Sequence, residues 1–316
     1  MNRMSVVITG SAGALGSHMA EQLKREGHQV IGIDAFTDYY DPAEKRRNAS
    51  ELSVEGIETR EADLATADLS SCVPSDTEFI LHFAAQPGIS PDVSFEKYER
   101  NNVAATSRLL EYSTKLKKLS GFIFVSTSSV YGEQAVGNEE SEPRPISFYG
   151  VTKLCAEQLV LSYSRQSILP TASARLFSVY GERERPDKLF RKLITAIDSG
   201  YSFPLREGSR EHKRSFTYVK DITDGISKMI SQWDICKGQI FNLGNDKTHT
   251  TGEGIELIEK IMGKKGNYSL NPPQHGDQRE TKADISKARA MFGYDPKISL
   301  EEGLANEVEW YRKMRH

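Results

Sequence analysis

Tyr149 and Lys153 stand four residues apart in the run Tyr149-Gly150-Val151-Thr152-Lys153. On a helix, positions i and i+4 share a face, so the phenol and the ammonium would be neighbours. A phenol so placed is a candidate base. Its pKa, near 10, would have to fall by roughly 3 units, about 4 kcal/mol, to act near neutral pH, and nearby positive charge is what could supply that. Taken alone, the spacing also fits an unreactive, half-exposed helix pair. Just upstream, Val125-Ser126-Thr127-Ser128-Ser129-Val130-Tyr131-Gly132 brings hydroxyls to the end of an apolar run. A hydroxyl there can share a hydrogen bond with the tyrosine and a substrate oxygen. Near the N-terminus, Thr9-Gly10-Ser11-Ala12-Gly13-Ala14-Leu15-Gly16 spaces three glycines directly after a strand and at the mouth of a helix. Glycines let backbone approach a pyrophosphate, and a helix N-terminus offers it unpaired N–H groups. The alternative is a glycine-rich turn with no ligand. Asp34 lies eighteen residues past Gly16. A carboxylate there can take ribose hydroxyls and disfavours a 2′-phosphate, which points to NAD over NADP. It could equally cap a loop. Asp63-Leu64 could meet an adenine edge, or Asp63 could be a turn residue.

These groups need elements to hold them. Ser5–Thr9, Val30–Ile33, Phe79–Phe83 and Gly121–Ser126 are short apolar runs bounded by turn signals. Ala14–Glu26, Asn102–Leu116 and Thr152–Arg165 carry helical spacing. Buried strands alternating with helices predict an α/β fold: a doubly wound parallel sheet of the Rossmann type with a smaller C-terminal α/β substrate lobe. Glu139–Pro145 is polar and proline-bearing and is read as a loop. Past residue 175 prolines, glycines and basic residues interleave with short helices, and Ser215–Trp233 is expected to return to the first lobe as a strand and helix. The predicted division is residues 1–174 with 215–243 for the nucleotide domain and 175–214 with 244–316 for the substrate lobe.

Composition narrows the class. Of 316 residues, 38% are hydrophobic and 27% charged, which is globular rather than disordered. The net charge of −3 argues against a nucleic-acid partner. No apolar run reaches the ~18 residues of a membrane helix, so no membrane partner is expected. The strand–glycine pattern is under way by Gly10, which leaves no room for a signal peptide. Cys72, Cys155 and Cys236 are scattered and odd in number, which suits a reducing, cytoplasmic setting. The seven histidines show no paired spacing, so no metal is expected. No GxSxG elbow points to a serine hydrolase.

The combined motifs resemble the extended short-chain dehydrogenase/reductase family, and in particular its nucleotide-sugar 4-epimerases. The resemblance spans nearly the whole chain. Beside the glycine loop and YxxxK it is carried by His82-Phe83-Ala84-Ala85-Gln86, by Thr37-Asp38-Tyr39-Tyr40-Asp41-Pro42 and by Arg175-Leu176-Phe177-Ser178-Val179-Tyr180-Gly181. Arg185-Pro186-Asp187, Arg214-Ser215-Phe216-Thr217-Tyr218-Val219, Gly276-Asp277 and Ala283-Asp284 extend it. Several of these look like segments of UDP-glucuronate 4-epimerases. Ala14-Leu15 departs from the family's usual Phe-Ile, and Ser215 stands where an acid is usual after the arginine.

The resemblance implies an isomerase that uses NAD. Tyr149 would take the 4-hydroxyl proton while hydride leaves C4, the 4-keto sugar would rotate, and hydride would return to its other face. Thr127 matches the catalytic Ser/Thr position, and Lys153 would lower the tyrosine pKa and hold the nicotinamide ribose. NAD contacts are implied for Gly10, Ala12, Gly13, Ala14, Leu15 and Gly16, for Asp34, Asp63 and Leu64, and for Phe83, Ala84, Ala85 and Gln86. Asn102, Ser126, Tyr149, Lys153, Phe177 and Val179 complete that set. Sugar-nucleotide contacts are implied for Gln86, Thr127, Ser128, Ser129, Tyr149 and Ser178, and for Arg185, Lys188, Arg191, Arg214 and Asp277. A homodimer through the helices Asn102–Leu116 and Thr152–Arg165 is implied as well, and Leu154, Leu159, Leu161 and Tyr163 place apolar surface on more than one face of the second.

The reaction and sugar can be narrowed. Related dehydratases carry Asp-Glu where this chain has Ser128-Ser129, and related decarboxylases carry Glu at the second position. Elimination needs a proton donor and acceptor near C5 and C6; epimerisation does not. Residues 183–214 hold nine Lys and Arg against five Asp and Glu, a basic island in an acidic chain that suits an anionic ligand. Arg185, a planar fork, is placed to meet a C6 carboxylate. Most other basic residues there are expected to be solvated surface. The expected substrate is UDP-glucuronate, interconverted with UDP-galacturonate. UDP-glucose or UDP-N-acetylglucosamine 4-epimerisation, decarboxylation, dehydration, and a non-catalytic nucleotide-binding protein are the alternatives.

Overall fold

The structure, a computed structural model, describes residues 3–90, 92–273 and 279–315. Seven strands form one parallel sheet: β1 Ser5–Thr9, β2 Gln29–Asp34, β3 Glu58–Glu61, β4 Phe79–His82, β5 Gly121–Thr127, β6 Thr171–Leu176 and β7 Ile240–Leu243. Their order across the sheet is β7-β6-β5-β4-β1-β2-β3. The order reverses between β1 and β4, which opens a crevice at the strand C-termini where α/β sheets place ligands. β5 and β6 are buried at every position, as strands covered on both faces must be, and the polar Thr171, Ser173 and Arg175 of β6 are buried with their partners.

Helices cover both faces. α1 Ala14–Arg25 and α6 Val219–Ser231 pack on one face, with Met19, Leu23, Ile222, Ile226 and Met229 fully buried. α3 Ala105–Ser113 and α4 Phe148–Arg165 pack on the other through Leu109, Leu110, Ala156 and Val160. The remaining long helices are α2 Pro42–Val54, α5 Leu189–Ser199, α7 Thr251–Met262 and α8 Leu300–Arg315. α5, α7 and α8 enclose a separate apolar cluster around Phe190, Leu193, Ile258, Leu304 and Val308. A small sheet of two-residue strands joins Gln134–Ala135, Lys213–Arg214, His249–Thr250 and Glu280–Thr281 beside it.

Three sequence expectations change. The helix expected over Asn102–Leu116 begins earlier, at Phe95, and runs through a π-helical segment, Glu99–Ala104, before α3 ends at Ser113. Propensity carries no signal for such a widened turn; tertiary contacts of Asn101 and Asn102 select it. The strand expected near Ser215 is Thr217–Tyr218, and it pairs with Val179–Tyr180 outside the main sheet. The strand that closes the sheet's edge is β7. β6 runs across residue 174, where the sequence placed a boundary.

Sheet and α4 are locked by a buried ion pair. Arg175 on β6 and Glu157 on α4 are 1% and 0% exposed and meet at 2.6 Å. Glu157 also accepts from Ser173 Oγ at 3.1 Å, and Arg175 Nη1 donates to Tyr131 Oη at 2.8 Å. Tyr131 in turn donates to Asn242 on β7 at 2.8 Å. Every charge in the group is paired, so removing one strands the other. Glu157→Ala is expected to cost about 3–5 kcal/mol in urea denaturation, while Gln158→Ala, on the exposed face next to it, changes stability by under ~0.5 kcal/mol.

Candidate active site

A cavity of about 440 Å³ opens at the strand C-termini. Its first wall is the β1–α1 turn. Gly10 sits at φ +71° and donates to Ile33 O at 2.7 Å. A Cβ on Gly16 would lie 2.2 Å from Gly10 O, so helix and turn pack backbone to backbone. No side chain caps α1, and its first turn carries no acid. Gly10, Gly13, Ala14, Leu15 and Gly16 line the cavity, with helix N–H groups directed to an anion.

The second wall is the β2 exit. Asp34 accepts from Ala12 N at 3.0 Å and Phe36 N at 2.8 Å. Burial pushes its pKa up, against these bonds and the Lys45 charge. It lines the cavity and also caps its loop. Ala12 is corrected: its N–H is spent on Asp34, its carbonyl accepts from Asn48 Nδ2 at 2.9 Å, and it lies behind the cavity wall. Asp63 and Leu64 line the edge. Asp63 also accepts from Arg100 at 2.6 Å and from Ala65 N at 2.9 Å.

The β4 exit supplies Phe83, Ala84 and Ala85 to the lining. His82 is buried between Thr9 and Thr106, with its ring nitrogens 2.7 and 2.9 Å from their hydroxyls. Burial pushes its pKa down to about 3, so the ring is neutral and structural. Gln86 and Asn102 stand behind the lining, and the Gln86 side-chain amide nitrogen has no partner among the described residues. Asn102 Oδ1 accepts from Gln86 N at 2.7 Å, and its amide donates to Thr152 Oγ1 on α4 at 3.0 Å. The pair clamps the turn to α4 from behind, and Asn101 is the neighbour that faces the cavity.

The reactive wall joins β5 and α4. Ser147 caps α4 by accepting from Gly150 N at 3.1 Å, which puts Tyr149 in the first turn, where the helix dipole favours negative charge. A Cβ on Gly150 would lie 2.7 Å from Ser129 O; its absence lets α4 sit against the Ser128–Tyr131 turn. Ser126, Thr127, Ser128, Ser129, Tyr149 and Lys153 all line the cavity. Thr127 Oγ1 accepts from Ser129 N at 3.1 Å.

Burial raises the Tyr149 pKa; the Arg185 charge and a hydrogen bond with Thr127 pull it back. Lys153 Nζ donates to Val125 O at 2.6 Å and lies 4.0 Å from the Phe124 ring centroid. Burial lowers its pKa to about 7, against the Glu157 charge. The expected lysine–tyrosine pairing is therefore not a direct bond, and the cation that eases Tyr149 here is Arg185.

The last wall is the segment after β6. Ser178, Val179, Arg185 and Lys188 line the cavity, as does Glu184. Lys188 bonds Val179 O and pairs with Glu184 at 3.1 Å. Phe177 is corrected: it is fully buried against Tyr131 in the core. Arg191 is corrected too. Its guanidinium is held 4.8 Å from the Trp310 and Tyr311 rings of α8 and 3.5 Å from Glu44 on α2, outside the cavity lining. Arg214 lies in the small sheet, paired in register with His249, and is outside the cavity lining. Asp277 lies outside the described residues.

Sequence reasoning gave no site role to Tyr39, Tyr40, Lys45 and Gly88, which also line the cavity. Lys45 Nζ donates to Thr37 O and Oγ1, both at 2.9 Å, and lies over the Tyr40 ring at 4.9 Å. For Tyr39 and Tyr40 the signal was the Thr37–Pro42 segment; Lys45 and Gly88 lie outside every motif singled out.

The residues present fit a dinucleotide: a glycine cradle, an uncapped helix start, a carboxylate at the β2 end, and a buried Ser126 Oγ with no partner among the described residues. No group of three potential metal ligands occurs among the described residues.

Comparisons with known proteins agree with this geometry. Residues 6–244 match the NAD dependent epimerase/dehydratase family. The uncharacterized UDP-glucose epimerase YtcB of Bacillus subtilis is 36% identical over 97% of this chain and 98% of its own. UDP-glucuronate 4-epimerase 1 of Arabidopsis thaliana is 33% identical over 98% of this chain and 76% of its own. The crystal structure of UDP-glucuronic acid 4-epimerase from Bacillus cereus, in complex with UDP-glucuronic acid and NAD, superimposes with a TM-score of 0.93 at 33% identity, covering 98% of this chain and 100% of that one. With its parallel seven-stranded sheet, its glycine cradle and a tyrosine and lysine on one helix face, the chain belongs to the NAD dependent epimerase/dehydratase family.

Proposed function

We propose that this protein is an NAD-dependent UDP-sugar 4-epimerase whose sugar is UDP-glucuronate, interconverted with UDP-galacturonate. One observation carries the sugar assignment: the Arg185 guanidinium shares the cavity with Tyr149 closely enough to act on its charge. A fork of fixed positive charge beside the base suits a carboxylate at C6 of a sugar whose C4 hydroxyl meets Tyr149.

NAD, when bound, supplies a reversible hydride acceptor for sugar C4. Gly10, Gly13 and Gly16 would hold its pyrophosphate, and Asp34 would take ribose hydroxyls. Tyr149 accepts the 4-hydroxyl proton and returns it to the same oxygen after the sugar turns over. Thr127 holds that oxygen during both transfers. Lys153, fixed on Val125 O, would add positive charge to the cofactor's end of the cavity. Ser128 and Ser129 bring hydroxyls to the cavity and no carboxylic acid, which elimination would need, so the proposed reaction is epimerisation alone.

The lobes divide this work, with residues 1–174 and 215–243 holding the nucleotide cofactor and 175–214 and 244–316 holding the sugar nucleotide. We place the protein in the cytoplasm, which its three free cysteines support. No helix among the described residues is long and apolar enough to cross a membrane. The exposed Phe148 and Val151, with half-buried Leu154, Leu159 and Tyr163, support a homodimer through α3 and α4. Light scattering is expected to give twice the 35.4 kDa chain mass.

NMR of reactions with UDP-glucuronate is expected to show UDP-galacturonate. Turnover of UDP-glucose alone would reject the uronate, and carbon dioxide with a UDP-pentose would reject epimerisation. Tyr149→Phe is expected to lower kcat at least about 10³-fold while NAD still binds by fluorescence titration, because only the proton acceptor is lost.

A further inference from the structure

Arg185 is not alone in the cavity wall. Its Nε donates to Asp187 Oδ1 at 2.9 Å and its Nη2 to Asp187 Oδ2 at 3.0 Å, a two-pronged ion pair. The Tyr39 hydroxyl donates to the same Oδ2 at 3.3 Å, and its ring lies 5.6 Å from the guanidinium. A turn closed by Lys188 N to Arg185 O at 3.1 Å brings the two charged side chains together across Pro186. Gly88, at φ +80°, makes room: a Cβ there would lie 2.9 Å from Tyr39 Oη and 3.2 Å from Arg185 Nη2. The loop is anchored from outside by Arg183, which pairs with Glu21 on α1 at 2.6 Å and Glu51 on α2 at 2.8 Å.

The arrangement has a direction. The Arg185 side chain is 20% exposed and Asp187 41%, so the cation is inside and the carboxylate outside. Asp187 occupies the Nε–Nη2 edge. Nη1 makes no hydrogen bond to a described residue, which leaves the Nη1–Nη2 edge for a ligand.

We infer that Asp187, assisted by Tyr39, is a specificity-determining positioning residue that holds Arg185 with one edge offered to the carboxylate of a uronate sugar. The inference rests on the uronate reading above. A long side chain left free would lose rotamer freedom on binding; one already held by two charge-assisted bonds has lost it before the ligand arrives. The guanidinium then lies between two carboxylates and separates their charges. A neutral sugar has no use for that edge and gains nothing from the pairing.

The test is calorimetric titration of NAD-loaded enzyme with UDP-glucuronate, UDP-glucose and UDP, with Tyr149→Phe present throughout to prevent turnover. Asp187→Asn, which keeps one acceptor and loses the charge, is expected to weaken UDP-glucuronate about tenfold and change the other two less than twofold. Tyr39→Phe is expected to weaken UDP-glucuronate about threefold, and it carries the test alone if the Asp187 variant does not fold. In an Arg185→Ala background, Asp187→Asn is expected to change nothing, because the residue acts only through the arginine. Equal weakening of all three ligands, tighter UDP-glucuronate, or an undiminished effect without Arg185 would overturn the inference. If the enzyme with Asp187 intact binds UDP-glucose as tightly as UDP-glucuronate, the uronate reading itself fails, and this inference with it.

Discussion

One stripe of α4 determines where the chemistry sits. Tyr149, Lys153 and Glu157 follow one another at four-residue intervals along the same face. Each engages a different layer. Tyr149 enters the cavity, Lys153 ties to the backbone of β5, and Glu157 closes the buried ion pair with β6. The phenol is thus registered against the sheet by two buried anchors below it. Ser147 at the helix start and the Gly150 contact with Ser129 add a third and a fourth. The Asn102 clamp on Thr152 secures the helix from its other side.

Electrostatics in this site follow from burial more than from pairing. Desolvation raises Tyr149 and Asp34 and lowers Lys153 and His82. A phenol base is therefore disfavoured in the empty pocket, and the charges that reverse this arrive with ligands or sit on Arg185. Positive charge beside the phenol lowers its pKa and raises the share of phenolate, and Arg185 supplies such charge here.

Much of the architecture was legible because its signals are local. Apolar runs of five or so residues, glycine spacing and the Asp34 position fix strands, the phosphate turn and the cofactor end. The hydroxyl run Ser126–Ser129 and the YxxxK pair fix the reactive wall. What sequence missed depends on side-chain direction. Phe177 and Ala12 stand one residue from cavity positions but face the core and the Asp34 carboxylate. Arg191 looked like an anion ligand by charge, yet its guanidinium serves two aromatic rings of α8, more than a hundred residues away. Tyr39 and Tyr40 gain meaning only when the β2 exit folds against Arg185 and Asp187.

The widened turn Glu99–Ala104 gives the helix before α3 one residue more than an α-helical path of the same length would hold. That extra residue lets two adjacent asparagines divide their duties, Asn101 toward the cavity and Asn102 toward the scaffold. It works as a phase shifter: the helix below it keeps the periodicity required to cover the sheet, while the segment above it is free to adopt a different angular register toward the ligand.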